Sequence, residues 1–485
     1  MKELFFYRVF IFSLLFMSLS TPAIAKKMSI LVYPFENKGN NEYSWISAGM
    51  TETVINDLMG LREVIVIPNE DRIKIMEETK FILSGLVAEQ MILKVGKLTG
   101  VNVIFTGSYL VSGSNIRVIA RLINVETGEV ESSAKFDGTL EEIFELQDKV
   151  VLRLLSDAGR MSIQYVSRVR VAEAEKKKIV EKPRQKTTAY ELYAKGLELR
   201  NKNPKEALAH YEKALDIDED YVYALIQAGF TAGYTLTMFD EAMDYLTRAD
   251  EILESKNTAN TIDYAMLLRN FGVVYKSKGD LDRALRYYLD AQEILQGLGL
   301  QNTPNYSTLI MNIGSVYEIK GYHDRALRYY TNSKQIQEGL GLRITANYAT
   351  LIMNIGRLYI SKDDIDHSLR YYRESQRIFD MLGMQNTPGY ADLMNNIGLV
   401  YDSQGDLDRA LIYCMDSQQI FDRLGLQNTK DYADVLFNIG DKYEKRREMD
   451  MAGRYFRKSY DTYVRAGYTG SNRDDALKNA QRLGY

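Results

Sequence analysis

Five asparagines recur at an interval of 42 residues: Asn270, Asn312, Asn354, Asn396 and Asn438. A carboxamide both donates and accepts hydrogen bonds. A column of them suits one chemistry in particular, holding an extended peptide backbone whatever its sequence. Two arginines stand beside the column, Arg269 directly before Asn270 and Arg357 three residues after Asn354. The positions one before and three after each Asn change from copy to copy. They read Arg269, Met311, Met353, Asn395, Phe437 and Val273, Ser315, Arg357, Leu399, Asp441. Selectivity would come from these, with arginine toward one end and acid toward the other orienting a charged peptide. A second use of the column is open. The amides would then bond neighbouring helices and fix the winding of the chain.

Other chemistries find little support. The chain has 3 His and 1 Cys in 485 residues. That argues against a multi-ligand zinc site of the usual kind and leaves no disulfide within one chain. No phosphate loop, dinucleotide glycine motif or His-Glu metal motif is present. His210, His323 and His367 fall at surface or turn positions of helical segments, and Cys414 holds an apolar core phase. The reading is therefore no enzyme, no cofactor and no metal. A net charge of −4 does not suggest nucleic acid as a partner.

The Asn column belongs to a longer unit beginning at Tyr264, Tyr306, Tyr348, Tyr390 and Tyr432. Two residues after each Asn stands Gly272, Gly314, Gly356, Gly398 or Gly440, and three later a Tyr. Further on come a small residue (Ala284, Ala326, Ser368, Ala410, Ala452) and, four later, a larger one (Tyr288, Tyr330, Tyr372, Cys414, Phe456). These phases predict two helices per unit, closely packed where Gly meets the small residue. Asn lies about 200° around the first helix from Gly, so it faces away from the second. Gly279, Gly321 and Gly405 suit left-handed helix ends, and Asp280, Asp324 and Asp406 or their neighbours suit caps. Thr303-Pro304 and Thr387-Pro388 read as a cap followed by proline at the first helical position. Tyr287, Tyr329, Tyr371, Tyr413 and Tyr455 read as packing between repeats.

A fixed period of this size is the signature of a solenoid. The Gly, Tyr, small and large phases resemble tetratricopeptide repeats, in the long form with an Asn found in kinesin light chains and related scaffolds. The resemblance implies that the Asn side of each first helix lines a concave, peptide-binding groove. Five regular repeats span 264–305, 306–347, 348–389, 390–431 and 432–473. Two looser ones precede them, around Gly196, Ala207 and Tyr211 and around Gly229, Ala242 and Leu246. Residues 188–473 thus form about seven repeats, and 474–485 a terminal cap helix.

The N-terminal part is different. Residues 1–25 read as a secretory signal peptide: Lys2 and Arg8, an apolar run from Val9 to Leu19, then Ala23-Ile24-Ala25. Strands are expected over Ser29–Phe35 and Glu63–Ile67. Helices are expected over Ser44–Met59, from a cap at Asn69, and over Ala88–Leu98. Three consecutive strands, Asn102–Val111, Asn115–Val125 and Glu129–Phe136, form a meander, and Thr139 caps a last helix from Leu140 to Ala158. Such an order gives an α/β sandwich with its helices on one face. Ala48-Gly49-Met50-Thr51-Glu52, Gly107-Ser108-Tyr109, Arg121-Leu122-Ile123-Asn124, Thr127-Gly128-Glu129 and Ile143–Asp148 resemble the amino-terminal domain of TolB-like proteins. The wider group includes FlgO and CsgG. The resemblance covers roughly 28–158 within a domain drawn at 26–159, and it implies an envelope interaction module. The propeller of TolB and the lipidated Cys of CsgG are absent. Residues 160–187 make a basic linker, either solvated or touching an anionic membrane.

The fold class expected is multidomain, a TolB-like α/β sandwich followed by an all-α superhelical solenoid. The function expected is an exported, periplasmic, non-enzymatic scaffold. Its groove holds a peptide or protein, and its first domain docks to an envelope component. The alternatives are a structural protein whose first domain self-assembles, or a sensory accessory. The oligomeric state is open.

Overall fold

The computed structural model describes residues 27–61, 63–67, 88–161, 170–181, 186–200, 202–468 and 470–485. The expected signal peptide, the helix after Asn69 and much of the linker lie outside them.

The N-terminal unit is a mixed sheet. β1 (Met28–Val32) lies between β3 (Val64–Val66) and β4 (Val103–Ser112), parallel to both. β5 (Asn115–Asn124) and β6 (Val130–Thr139) extend it as an antiparallel meander. The meander was legible because two short turns separate three β-rich runs, with Gly113 and Gly128 in left-handed conformation. A two-residue strand, β2 (Glu36–Asn37), also pairs with β4. It is too short to leave a pattern.

Helices cover both faces of the sheet, not one. Ile30, Val32, Val103 and Phe105 share a core with Ile46, Met50 and Val54 of α1 (Trp45–Met59) and Leu146, Val150 and Leu154 of α3 (Ile143–Ala158). Leu31 and Ile104, alternating with these, belong to a second core. There α2 (Ala88–Thr99) comes so close that a Cβ on Gly96 would sit 2.5 Å from Ile104 Cδ1. The continuous apolar runs of β1 and β4 are the pattern of strands buried on both sides. Thr139 does not cap α3 either. It ends β6, and its N–H and hydroxyl donate to Glu142 Oε2 at 2.9 and 3.1 Å.

Within the linker, α4 (Glu173–Val180) is anchored by buried Ile179. The solenoid then alternates A and B helices. α5 (Thr187–Leu199) pairs with α6 (Pro204–Ile217). α7 (Val222–Phe230), followed by a π turn over Thr231–Thr235, pairs with α8 (Phe239–Ser255). The five regular pairs are α9 (Ile262–Ser277) with α10 (Leu281–Gly297), α11 (Pro304–Ile319) with α12 (His323–Gly339), α13 (Ala346–Ile360) with α14 (Ile365–Leu382), α15 (Pro388–Ser403) with α16 (Leu407–Arg423), and α17 (Lys430–Lys445) with α18 (Met449–Arg465). The cap helix α19 (Ser471–Arg482) starts three residues earlier than the charge pattern suggested.

A small set of contacts recurs among the repeats. The Thr at each A-helix N-cap (Thr261, Thr303, Thr345, Thr387, Thr429) accepts the N–H of the Tyr that opens the unit. That Tyr hydroxyl reaches back to the preceding B helix: Tyr348 to Glu338 at 2.8 Å, Tyr390 to Asp380 at 3.2 Å, Tyr432 to Asp422 at 2.8 Å. Within a repeat, the B-helix hydroxyls of Ser333, Ser375 and Ser459 donate to A-helix carbonyls of Ser307, Ala349 and Ala433 at 2.8–3.0 Å. Gly272 makes the A–B approach possible, because a Cβ there would lie 2.4 Å from the Tyr288 ring. Tyr287, Tyr329, Tyr371, Tyr413 and Tyr455 stack on the A-helix Tyr of their own repeat, at 5.4–5.5 Å between ring centroids, instead of packing between repeats.

The two units share their cores. Tyr190 of α5 is buried against Trp45, Phe144 and Gly49, and accepts from Gln147 Nε2 at 2.6 Å. Val64, Ile65 and Val66 of the edge strand β3, with Met59, meet Ile262, Leu300 and Pro304 around one small cavity. The turn at Gly100 meets the backbone at Gly341.

Candidate functional site

Successive A helices touch one another along the solenoid, α11 with α13, α13 with α15 and α15 with α17, while successive B helices make no comparable contact. The A helices therefore form the inner wall of the curve. Asn faces away from the B helix of its own repeat, onto this wall.

The five amides do not sit alike. Asn270, Asn354 and Asn396 are 3, 9 and 8 % exposed. Asn312 and Asn438 are half-buried. Two amides are partly engaged inside the chain: Asn354 Oδ1 accepts from Arg357 at 3.3 Å, and Asn438 Nδ2 donates to Asn395 Oδ1 at 3.0 Å. The other three keep hydrogen-bonding capacity in hand. Asn270 Oδ1 is buried without a partner, and Asn312 and Asn396 make no side-chain hydrogen bond among the described residues.

Flanking the column, charges close the joints between repeats. Lys276 Nζ reaches Ser315 Oγ at 3.4 Å. Arg357 forks onto Glu318 of the preceding repeat, Nη2 to Oε2 at 2.9 Å, and Tyr330 donates to the same carboxylate at 2.7 Å. Lys442, almost fully buried, and Lys445 each bridge Asp402 and Asp441 at 2.8–2.9 Å. Arg482 of the cap helix meets Glu444 at 2.7 Å. Arg357 is thus committed to a neighbouring repeat, and Arg269 is half-buried on the same wall. Burial and then the nearby Arg357 lower the Lys276 ammonium pKa.

Asp392 was not singled out by the sequence reading. It lies four residues before Asn396, on the same helical face. Loss of hydration deep in the curve, with Asp431 and Asp434 nearby, raises its pKa from 3.8 to about 8, and Arg357 only partly opposes this. The signal was a break in the repeat: the same phase reads Met266, Thr308, Thr350, Asp392 and Asp434. The folded protein holds a proton there that the unfolded chain releases. Stability should therefore fall as pH rises from about 4 to about 8. Asp392→Asn is expected to flatten that dependence and raise Tm at pH 8, as thermal unfolding across pH would read; an unchanged profile would count against the raised carboxyl.

The profile of the tetratricopeptide repeat matches residues 349–379 and 391–421. These are the helix pairs α13–α14 and α15–α16. The solenoid carries tetratricopeptide repeats. A protein of Rhizobium meliloti (strain 1021) named "Putative adenylate cyclase 3" is 31% identical over 143 residues, 29% of this chain. The match spans 22% of that relative's length. BtubC (BKLC) from P. vanneervenii is similar over 55% of this chain and 93% of its own, at 18% identity and a TM-score of 0.35. A Rap protein complexed with competence and sporulation factor is similar over 67% of this chain and 85% of its own, at 15% identity and a TM-score of 0.48. Among the described residues no group of three or more His, Cys, Asp and Glu is placed to hold a metal, and no helix is long and apolar enough to cross a membrane. What the inner wall of the tetratricopeptide repeats offers is hydrogen-bonding capacity at spaced intervals, between rungs of paired charge.

Proposed function

We propose that this chain is a non-enzymatic scaffold whose tetratricopeptide repeats hold an extended peptide, or an extended segment of a protein, along the inner wall. The observation that carries this reading is the unspent amide capacity of Asn270, Asn312 and Asn396. An amide with no partner inside the chain is open to a peptide backbone, which offers the matching N–H and C=O groups. Specificity comes from the half-buried Arg269 and Phe437 beside the column. We propose further that the chain is exported to the periplasm through residues 1–25, and that its TolB-like unit docks to an envelope component.

Panning a peptide display library against the full chain tests the groove. Bound peptides are expected to weaken by about 0.5–1.5 kcal/mol for each hydrogen bond lost in Asn312→Ala, Asn354→Ala and Asn396→Ala. Asn270→Ala removes an orphaned acceptor, so it should reduce binding while leaving Tm unchanged or slightly higher. Peptides whose affinity ignores all four substitutions would place the binding site elsewhere.

A further inference from the structure

Among the described residues the far edge of the sheet is open: β6 ends the strand order and pairs only with β5. The Leu140 N–H bonds the Ser114 carbonyl at 2.8 Å. By the alternation of an antiparallel ladder, Gly138, Phe136 and Ala134 also turn their backbone groups toward β5. Ser133, Lys135 and Asp137 turn theirs outward, and among the described residues nothing meets them. Their side chains are exposed, all on the face away from α3. The one irregularity lies between Leu122 and Ile123 of β5, across from Glu131, so residues 132–139 form a regular edge. That edge contains no proline.

The charges on this edge choose its occupant. Lys135 and Asp137 are two residues apart on one face. Let a second β6 pair antiparallel about a two-fold axis through Phe136. Lys135 then lies opposite the partner's Asp137, and Asp137 opposite the partner's Lys135, in hydrogen-bonded pairs. Ser133 faces the partner's Thr139, whose N–H stays with Glu142 and whose carbonyl can accept the Ser133 N–H. The two Phe136 side chains meet at the non-hydrogen-bonded position, where cross-strand side chains come closest. Slipping the partner by two residues sets Lys135 against Lys135 or Asp137 against Asp137. A charged edge is usually a device against pairing; here the order of the charges admits this register and penalises its neighbours. In the single chain both groups are already exposed and mutually paired, Lys135 Nζ to Asp137 at 3.2 Å and Arg117 Nε to Asp137 at 2.6 Å. The pairing across the axis therefore desolvates no isolated charge.

We propose that β6 is the interface of an isologous homodimer, in which the two sheets join into one through Ser133, Lys135 and Asp137. The proposal is independent of the groove. Sedimentation of the full chain at micromolar concentration tests it. The wild type is expected to dimerise. Asp137→Lys should weaken the dimer by about a hundredfold, since both cross-strand pairs turn from attraction to repulsion. The exchange of both charges, Lys135→Asp with Asp137→Lys, should restore it. Hydrogen exchange gives a readout that needs no variant: the amides of Ser133, Lys135 and Asp137 should gain protection as concentration rises. A wild type that stays monomeric at about 100 µM, an Asp137→Lys dimer as tight as wild type, a double exchange that fails to restore it, or amides indifferent to concentration would each overturn the interface.

Discussion

Tyr190→Ala is expected to split the unfolding of this protein into two transitions and to cost about 3–5 kcal/mol. The ring lies in the joint between the units, T-shaped to Trp45 at 6.0 Å and tilted on Phe144 at 5.0 Å. Its hydroxyl accepts from Gln147 at 2.6 Å, and burial holds its pKa well above the ordinary tyrosine range. The helix beneath is shaped to receive it, since a Cβ on Gly49 would lie 2.5 Å from the Tyr190 oxygen. Removing the ring leaves a cavity bordered by both units and by no spare side chain. Tyr190→Phe is the control. It keeps the packing, loses the hydroxyl's hydrogen bonds with Gln147 and Thr53, and should cost about 1–2 kcal/mol with the transition still single. Calorimetry on the full chain separates these outcomes. A Tyr190→Ala protein that melts in one step at the wild-type Tm would mean that the joint is held elsewhere.

Lys442→Met is expected to be nearly as damaging, at about 3–5 kcal/mol. The ammonium is buried between Asp402 and Asp441 at 2.8 and 2.9 Å. Without it two carboxylates face each other across a joint, with only the more exposed Lys445 left between them. Denaturant titration should show the loss, and adding Asp402→Asn and Asp441→Asn should recover most of it. An acid titration adds an independent sign. Burial would raise the Asp441 pKa, but Lys442 and Lys445 together bring it below 3.8. Its contribution is therefore present above the ordinary carboxylate range and is lost as pH falls below it. In Lys442→Met that acid sensitivity should fade. A wild-type acid limb in the variant would show that Lys445 alone sets the carboxylate.

Most of the solenoid was legible because its signals are local and repeated. Thr303 and Thr387 cap helices that begin with proline, Asp280 and Asp406 cap the B helices, and Gly279, Gly321 and Gly405 take left-handed ends. Each depends on residues a few positions apart. The phases of the Asn column were equally plain, but their surroundings were not. Whether an amide is spent depends on a residue in another repeat, as Asn395 is for Asn438. The role of the opening Tyr was missed for the same reason, since its acid lies on the preceding B helix. The seat of the sheet on the solenoid, from Val64 against Ile262 to Gly100 against Gly341, joins residues about 200 or more positions apart. No period marks such contacts. The second covered face of the sheet was written in the sequence as unbroken apolar runs, and reading them as one-sided was the error.

The joints between repeats bear on how the chain folds. Five units this alike invite a helix pair to dock on the wrong neighbour, a known failure of repetitive chains. The Thr caps and the glycine approach of A helix to B helix would accept such a mistake, because they recur in all five units. The inner-wall partners would not: one joint matches Lys276 to Ser315, the next Glu318 to Arg357, a later one Asp402 to Lys442, and the last Glu444 to Arg482. If the third regular repeat were skipped, Glu318 would meet Leu399 in place of Arg357 and lose its bidentate partner. The common contacts thus set how each unit folds, while the charge rungs act as a serial number that fixes the order in which the units stack.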